Sequence, residues 1–176
     1  MIVGYYPNYQ GATFTTIQFD KLTHLHYFAL NPTRTAANTT NGTLWIGDPY
    51  SWFTQATYNT VRTAAETKNP NIKIIIVTGG APGSDSDLNA RLEQIGNTPS
   101  KLNYFCNNII AFMKANGCDG WDLDWEYPNT VAARTSHQNL LAKMRTKFDS
   151  TNLAQCTNWT ISITTFIFVR IYLSKF

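Results

Sequence analysis

The segment from Asp119 to Glu126 reads Asp-Gly-Trp-Asp-Leu-Asp-Trp-Glu and sets four acids inside a hydrophobic stretch. Ionised carboxylates brought together out of water repel one another and lose hydration, so such a cluster needs a fold that organises it. Alternation supplies that organisation, because successive side chains of a strand point to opposite faces. Gly120, Asp122, Asp124 and Glu126 then share one face, and Trp121, Leu123, Trp125 and Tyr127 share the other. A helix would also align Asp119, Asp122 and Glu126. Gly117 and Gly120 open the segment, however, Pro128 closes it, and tryptophan favours strands. The segment is read as a strand with an acidic front and an apolar back.

Four other stretches read as strands: residues 2–6, 23–30, 73–78 and 159–166, with the acid-bearing strand itself assigned to 118–127. Their apolar runs indicate strands covered on both sides, as in a parallel sheet. Helical patterns fill 50–68, 101–116 and 136–148, and the polar segment 33–47 reads as an exposed loop. The helix at 101–116 is the clearest, with Ser100 to cap it, Gly117 to end it, and Leu102, Phe105, Ile109, Phe112 and Met113 at helical spacing. Strands alternating with helices make βα units, so the fold class is α/β with a parallel sheet. No repeat or linker divides the chain, and residues 1–176 are taken as a single domain.

Composition excludes several function classes. The hydrophobic fraction is 43% and the charged fraction 14%, as in a folded globular protein. A net charge of +3, with scattered basic residues and no nucleic-acid motif, argues against nucleic acid as a partner. No apolar run reaches transmembrane length, so no membrane partner is expected. Residues 80–87 resemble a phosphate loop only superficially, since no lysine follows. Alternating aspartates can bind Mg²⁺, but no histidine stands in the segment, and neither a metal nor a cofactor is expected. Cys106, Cys118 and Cys156 fit no zinc spacing and read as buried thiols, one disulfide remaining open. Asn38, Asn41 and Asn158 stand in glycosylation sequons. His24 and His26 read as core or supporting residues, and Trp45 and Trp52 as packing residues.

Asp119-x-x-Asp122-x-Asp124-x-Glu126 followed by Tyr127-Pro128 resembles the signature of the family 18 glycoside hydrolases, the chitinases. Gly4-Tyr5-Tyr6-Pro7 is similar to the family's first strand, Leu22-Thr23-His24-Leu25 to the entry of its second, and Lys73 through Gly80 to its third. The resemblance runs over nearly all of residues 1–166. It implies a TIM (β/α)8 barrel, here represented by about its first five strands, since the full fold has eight strands and about 250 residues. Residues 167–176 do not resemble the loop that should follow the fifth strand, and the expectation is a truncated chain, a mis-spliced product or a non-native read-through tail.

The chemistry implied is hydrolysis of β-1,4-linked N-acetylglucosamine, in chitin or chito-oligosaccharides, with retention and with the substrate's acetamido oxygen as nucleophile. Glu126 is the expected general acid, its proton affinity raised by neighbouring Asp124. Asp124 is expected to hold the acetamido N–H, and Asp122 to share a proton with Asp124. Asp119, Tyr5 and Tyr127 are the expected supporting residues, and Gly79, Gly80 and Trp125 the expected substrate contacts. The partner implied is chitin or another N-acetylglucosamine-containing glycan, met by a monomer that the family would secrete. Met1 leads straight into strand-like sequence, with no visible signal peptide. The alternative reading is a non-catalytic chitin-binding relative or an inactive truncated fragment. Two positions depart from the family's pattern. Val77 stands where a serine usually hydrogen-bonds the inner acids, which leaves Thr78 as the neighbouring hydroxyl. Ala29 stands where phenylalanine is common, beside Phe28.

Overall fold

The structure is a computed structural model that describes residues 1–8, 13–34, 40–47, 53–81, 86–152 and 160–163, with side chains described as far as residue 150. Among these, five strands form one parallel sheet in sequence order: β1 (Val3–Pro7), β2 (His24–Phe28), β3 (Lys73–Gly80), β4 (Gly120–Trp125) and β5 (Thr160–Ile163). The helices are α1 (Gln55–Lys68), α2 (Leu88–Asn97), α3 (Pro99–Asn116) and α4 (Val131–Asn152). Single-turn 3-10 helices at Phe14–Thr16 and Phe19–Lys21 lie between β1 and β2. This is the β1-to-β5 part of a (β/α)8 barrel.

The two faces of the sheet bury different things. Tyr6, Leu25, Tyr27, Ile76, Trp121 and Leu123 face the helices and join the main apolar core. There they meet Tyr58 and Val61 of α1, Leu92 and Ile95 of α2, Phe112 of α3 and Leu140 of α4. Fully burying one such side chain is worth roughly 1.5–3 kcal/mol, so this layer carries most of the sheet's stability. The other face carries Tyr5, His26, Ile75, Val77, Asp122 and Asp124, which the register brings side by side: Tyr5 pairs with His26, His26 with Ile75, and Val77 with Asp122.

Element boundaries move where side chains outside the periodic pattern decide them. β4 starts at Gly120 and ends at Trp125, so Cys118, Glu126 and Tyr127 of the expected strand lie outside the ladder. β3 runs two residues further than expected, through Gly79 and Gly80. α4 begins at Val131 rather than near 136: Thr130 caps it, its Oγ1 accepting the Ala133 N–H at 2.9 Å, and its first turn is largely exposed, leaving no apolar stripe to read. The short helix α2 has no counterpart in the expectations, because Arg91 stands on its buried face and Gly96 near its end. A Cβ on Gly96 would lie 2.0 Å from Ser136 Oγ, so the bare glycine is what lets α2 and α4 touch. At that crossing Ser136 Oγ donates to Leu92 O at 2.7 Å.

Cys106 and Cys118 are buried free thiols, each pushed up to about 12 by burial. Asn41 is exposed and its Oδ1 accepts the Thr43 N–H at 2.9 Å. Asn38, Asn158, Cys156, Trp52, residues 82–85 and the tail at 167–176 lie outside the described residues.

Candidate active site

The acids follow the alternation of β4. Asp122 is 0% exposed, Asp124 1% and Glu126 8%, while Tyr127 beyond them is 49% exposed. Exposure therefore rises toward the C-terminal end of the strand. Glu126 is the carboxylate at the mouth, and Asp122 lies deepest.

Asp122 is held from β1 and β2, across the intervening β3. The Tyr5 hydroxyl donates to its Oδ2 at 2.7 Å, and Nδ1 of His26 lies 3.1 Å from the same oxygen. The Tyr5 and His26 rings pack with centroids 4.7 Å apart. His26, 4% exposed, is a member of this cluster, the supporting one of the two roles, core or supporting, in which the sequence was read. Asp122 is 96 residues away, so only the strand register brings the two together.

Asp119 sits at the opposite end of β4. Its Oδ2 accepts the Ile74 N–H at 2.9 Å and its Oδ1 takes Lys73 Nζ at 2.9 Å, which ties the starts of β3 and β4. The lysine pair is half exposed and contributes little by itself. The backbone bond is the stronger tie, because it joins a charged acceptor to a main-chain donor.

Gly79 and Gly80 shape the mouth. Both have positive φ, 122° and 108°. A Cβ on Gly79 would stand 2.2 Å from Asp124 O, and one on Gly80 would stand 2.4 Å from the Phe28 ring. The Asn31 side chain clamps Gly79, its Oδ1 accepting the Gly79 N–H at 2.8 Å and its Nδ2 donating to Gly79 O at 3.2 Å. The ends of β2, β3 and β4 are thus locked at one height. Non-proline cis peptide bonds follow at Phe28–Ala29 and Glu126–Tyr127.

Two expectations are corrected here. Trp125 does not reach the acid face. It is 3% exposed, belongs to the helix-side core and packs on His137 with ring centroids 6.1 Å apart. The same alternation that aligns the acids turns Trp125 away from any ligand they meet. Thr78 does not replace the hydroxyl lacking at Val77. Its Oγ1 donates to Leu30 O at 2.8 Å and accepts from Trp121 Nε1 at 2.9 Å, both away from the acids. Among the described residues, no cluster of three or more His, Cys, Asp or Glu side chains is arranged to hold a metal ion.

A parallel βα sheet with buried acids opening at the C-terminal end of a strand is the arrangement of barrel enzymes, whose sites gather at that end. The chain belongs to the glycosyl hydrolases family 18, whose model matches residues 1–170. It is 26% identical over 211 residues to chitinase A1 of Niallia circulans, covering 92% of this chain and 29% of that protein. Its fold matches a class V chitinase from Nicotiana tobaccum in complex with NAG4, at a TM-score of 0.76 and 20% identity, over 93% of this chain and 44% of that one. It matches human YKL-39, a pseudo-chitinase with retained chitooligosaccharide binding, at a TM-score of 0.71 and 20% identity, over 93% of this chain and 43% of that one. The chain thus spans less than half the length of these relatives.

Proposed function

We propose that this chain carries the catalytic strand of a retaining hydrolase of β-1,4-linked N-acetylglucosamine, acting on chitin or chito-oligosaccharides. The observation that carries the reading is the rise in exposure from Asp122 through Asp124 to Glu126 on one face of β4. Glu126, at the mouth, protonates the glycosidic oxygen. The substrate's own acetamido oxygen closes on the anomeric carbon, and water then opens the cyclic ion with Glu126 as base. Asp124, one step deeper, orients the acetamido N–H and balances the developing positive charge. Asp122 exchanges a proton with Asp124, and Tyr5 steadies it. Tyr127, exposed beside Glu126, meets the sugar, and Gly79 and Gly80 let β3 close on Asp124 and Phe28 beneath it. Asp119 keeps the strand in register.

Family membership supports this reading, as does the NAG4 held by the tobacco chitinase. A glycan outside the cell calls for an exported protein, and no described helix is long and apolar enough to cross a membrane. YKL-39 motivates a second reading, chitooligosaccharide binding without hydrolysis. Turnover of a fluorogenic chitobioside separates the two. The purified chain is expected to release the fluorophore, and Glu126→Gln to lose about 10²–10⁴-fold in kcat. A folded wild type that binds chitotetraose without turnover would favour the binding reading. Turnover that survives Glu126→Gln would remove Glu126 as the acid.

A further inference from the structure

We propose that His26 is a positioning residue for the acid ladder: its Nδ1–H, together with the Tyr5 hydroxyl, fixes Oδ2 of Asp122 as a bare acceptor, so that the proton shared with Asp124 travels on Oδ1. The inference rests on the proposed role of Asp122 as proton partner. The geometry behind it stands by itself.

Oδ2 of Asp122 lies 2.7 Å from the Tyr5 hydroxyl and 3.1 Å from His26 Nδ1. Neutral histidine carries its proton on one ring nitrogen and a lone pair on the other. A lone pair on Nδ1 would face the lone pairs of a carboxylate oxygen in a fully buried setting, where that repulsion is strongest. A proton placed on Oδ2 instead would leave Tyr5 the weaker acceptor of a neutral carboxyl O–H in place of a carboxylate oxygen. Both contacts are satisfied when Nδ1 and Tyr5 donate and Oδ2 accepts twice. The carboxyl oxygen then left to carry a mobile proton is Oδ1.

The surroundings are consistent with that assignment. His26 sits level with Tyr5 on β1 and Ile75 on β3, and Ile75 is level with Gly120 on β4, which contributes no side chain. β3 offers only Ile75 and Val77 to this face near His26, neither of which is polar. The titratable groups facing the imidazole include Tyr5 from β1 and Asp122 from β4, with His24 two residues back on β2 and Lys73 level with His24 on β3. Tyr5 and His26 reach Asp122 from β1 and β2. A donor at Nδ1 favours Asp122 as the anion and leaves the shared proton to Asp124, the carboxyl nearer the mouth.

The test needs no turnover, so it is separable from the proposed reaction. In the full chain, long-range ¹H–¹⁵N spectra of wild type are expected to show His26 protonated on Nδ1 across pH 5–8, whether the ring is neutral or charged. A neutral ring protonated only on Nε2 would overturn the proposal, and this readout requires no variant to fold. In ¹³C-carboxyl spectra, His26→Leu is expected to raise the Asp122 titration midpoint by about one pH unit or more, a tenfold change in proton affinity from losing one donor to a charged group. His26→Gln, which keeps a donor, should recover part of the shift, and His24→Leu should leave Asp122 unmoved. An Asp122 midpoint equal in wild type and His26→Leu, or moved equally by His24→Leu, would overturn it. Should Glu126→Gln retain turnover, the reaction assignment falls while the His26–Asp122 linkage is judged on these spectra alone.

Discussion

At the scale of single residues, the most exacting position is Gly79. Its φ of 122° lies where side chains are disfavoured, and its α-carbon packs on the Asp124 carbonyl. Gly79→Ala combines backbone strain with a steric overlap that only movement of β4 can relieve. It is expected to cost about 2–4 kcal/mol in urea unfolding and to displace Asp124 and Glu126. A variant as stable as wild type would show that β3 and β4 separate freely at this height. Much of the residue-scale picture was legible in the chain. The shared face of Asp122, Asp124 and Glu126 follows from a period of two that needs no tertiary knowledge. For His26 the sequence left core and supporting roles open, because its partner is a carboxylate brought close only by register across β3. Trp125 was half legible: the alternation already put it behind the acids, and its aromatic character alone made it a candidate sugar contact.

At the scale of elements, the strands and the long helix α3 were read closely, since continuous aliphatic runs and a regular apolar stripe survive any context. The short helix α2 and the first turn of α4 escaped. Both owe their place to a partner element rather than to their own pattern. Gly96 and Ser136 make that contact, and Gly96→Ala would push a Cβ to within 2.0 Å of Ser136 Oγ and 2.4 Å of its carbonyl. The expected loss is about 2–3 kcal/mol in chemical unfolding. Adding Ser136→Ala should recover only part of it, because the Ser136 backbone still obstructs. Full recovery would mean that the hydroxyl alone sets the α2–α4 distance.

At the scale of the whole molecule, half-buried histidines couple stability to pH. Burial holds both His24 and His137 below their ordinary value of 6.5, with nearby His26 adding to the effect on His24. As pH falls through about 6.5, the unfolded chain takes up protons that the folded chain refuses. The unfolded state then binds more protons, so stability rises with pH across this window and falls on acidification. The penalty stops growing once pH drops below the depressed folded values. The urea midpoint is expected to decrease from pH 7.5 to pH 5.5, and the double variant His24→Gln/His137→Gln to flatten that slope. An unchanged slope in the double variant would assign the acid sensitivity to other groups.

The sheet order β1-β2-β3-β4-β5 also bears on how the molecule is made. Each strand pairs with the strand synthesised just before it, so the sheet can zip together in the order in which the ribosome delivers it, with modest loop-closure entropy at each step. The bond from Tyr5 to Asp122 is different, because it closes over 117 residues. The floor of the acid cluster therefore stays unfinished until β4 has been made, and its polar pairs become available only when β4 docks on β3.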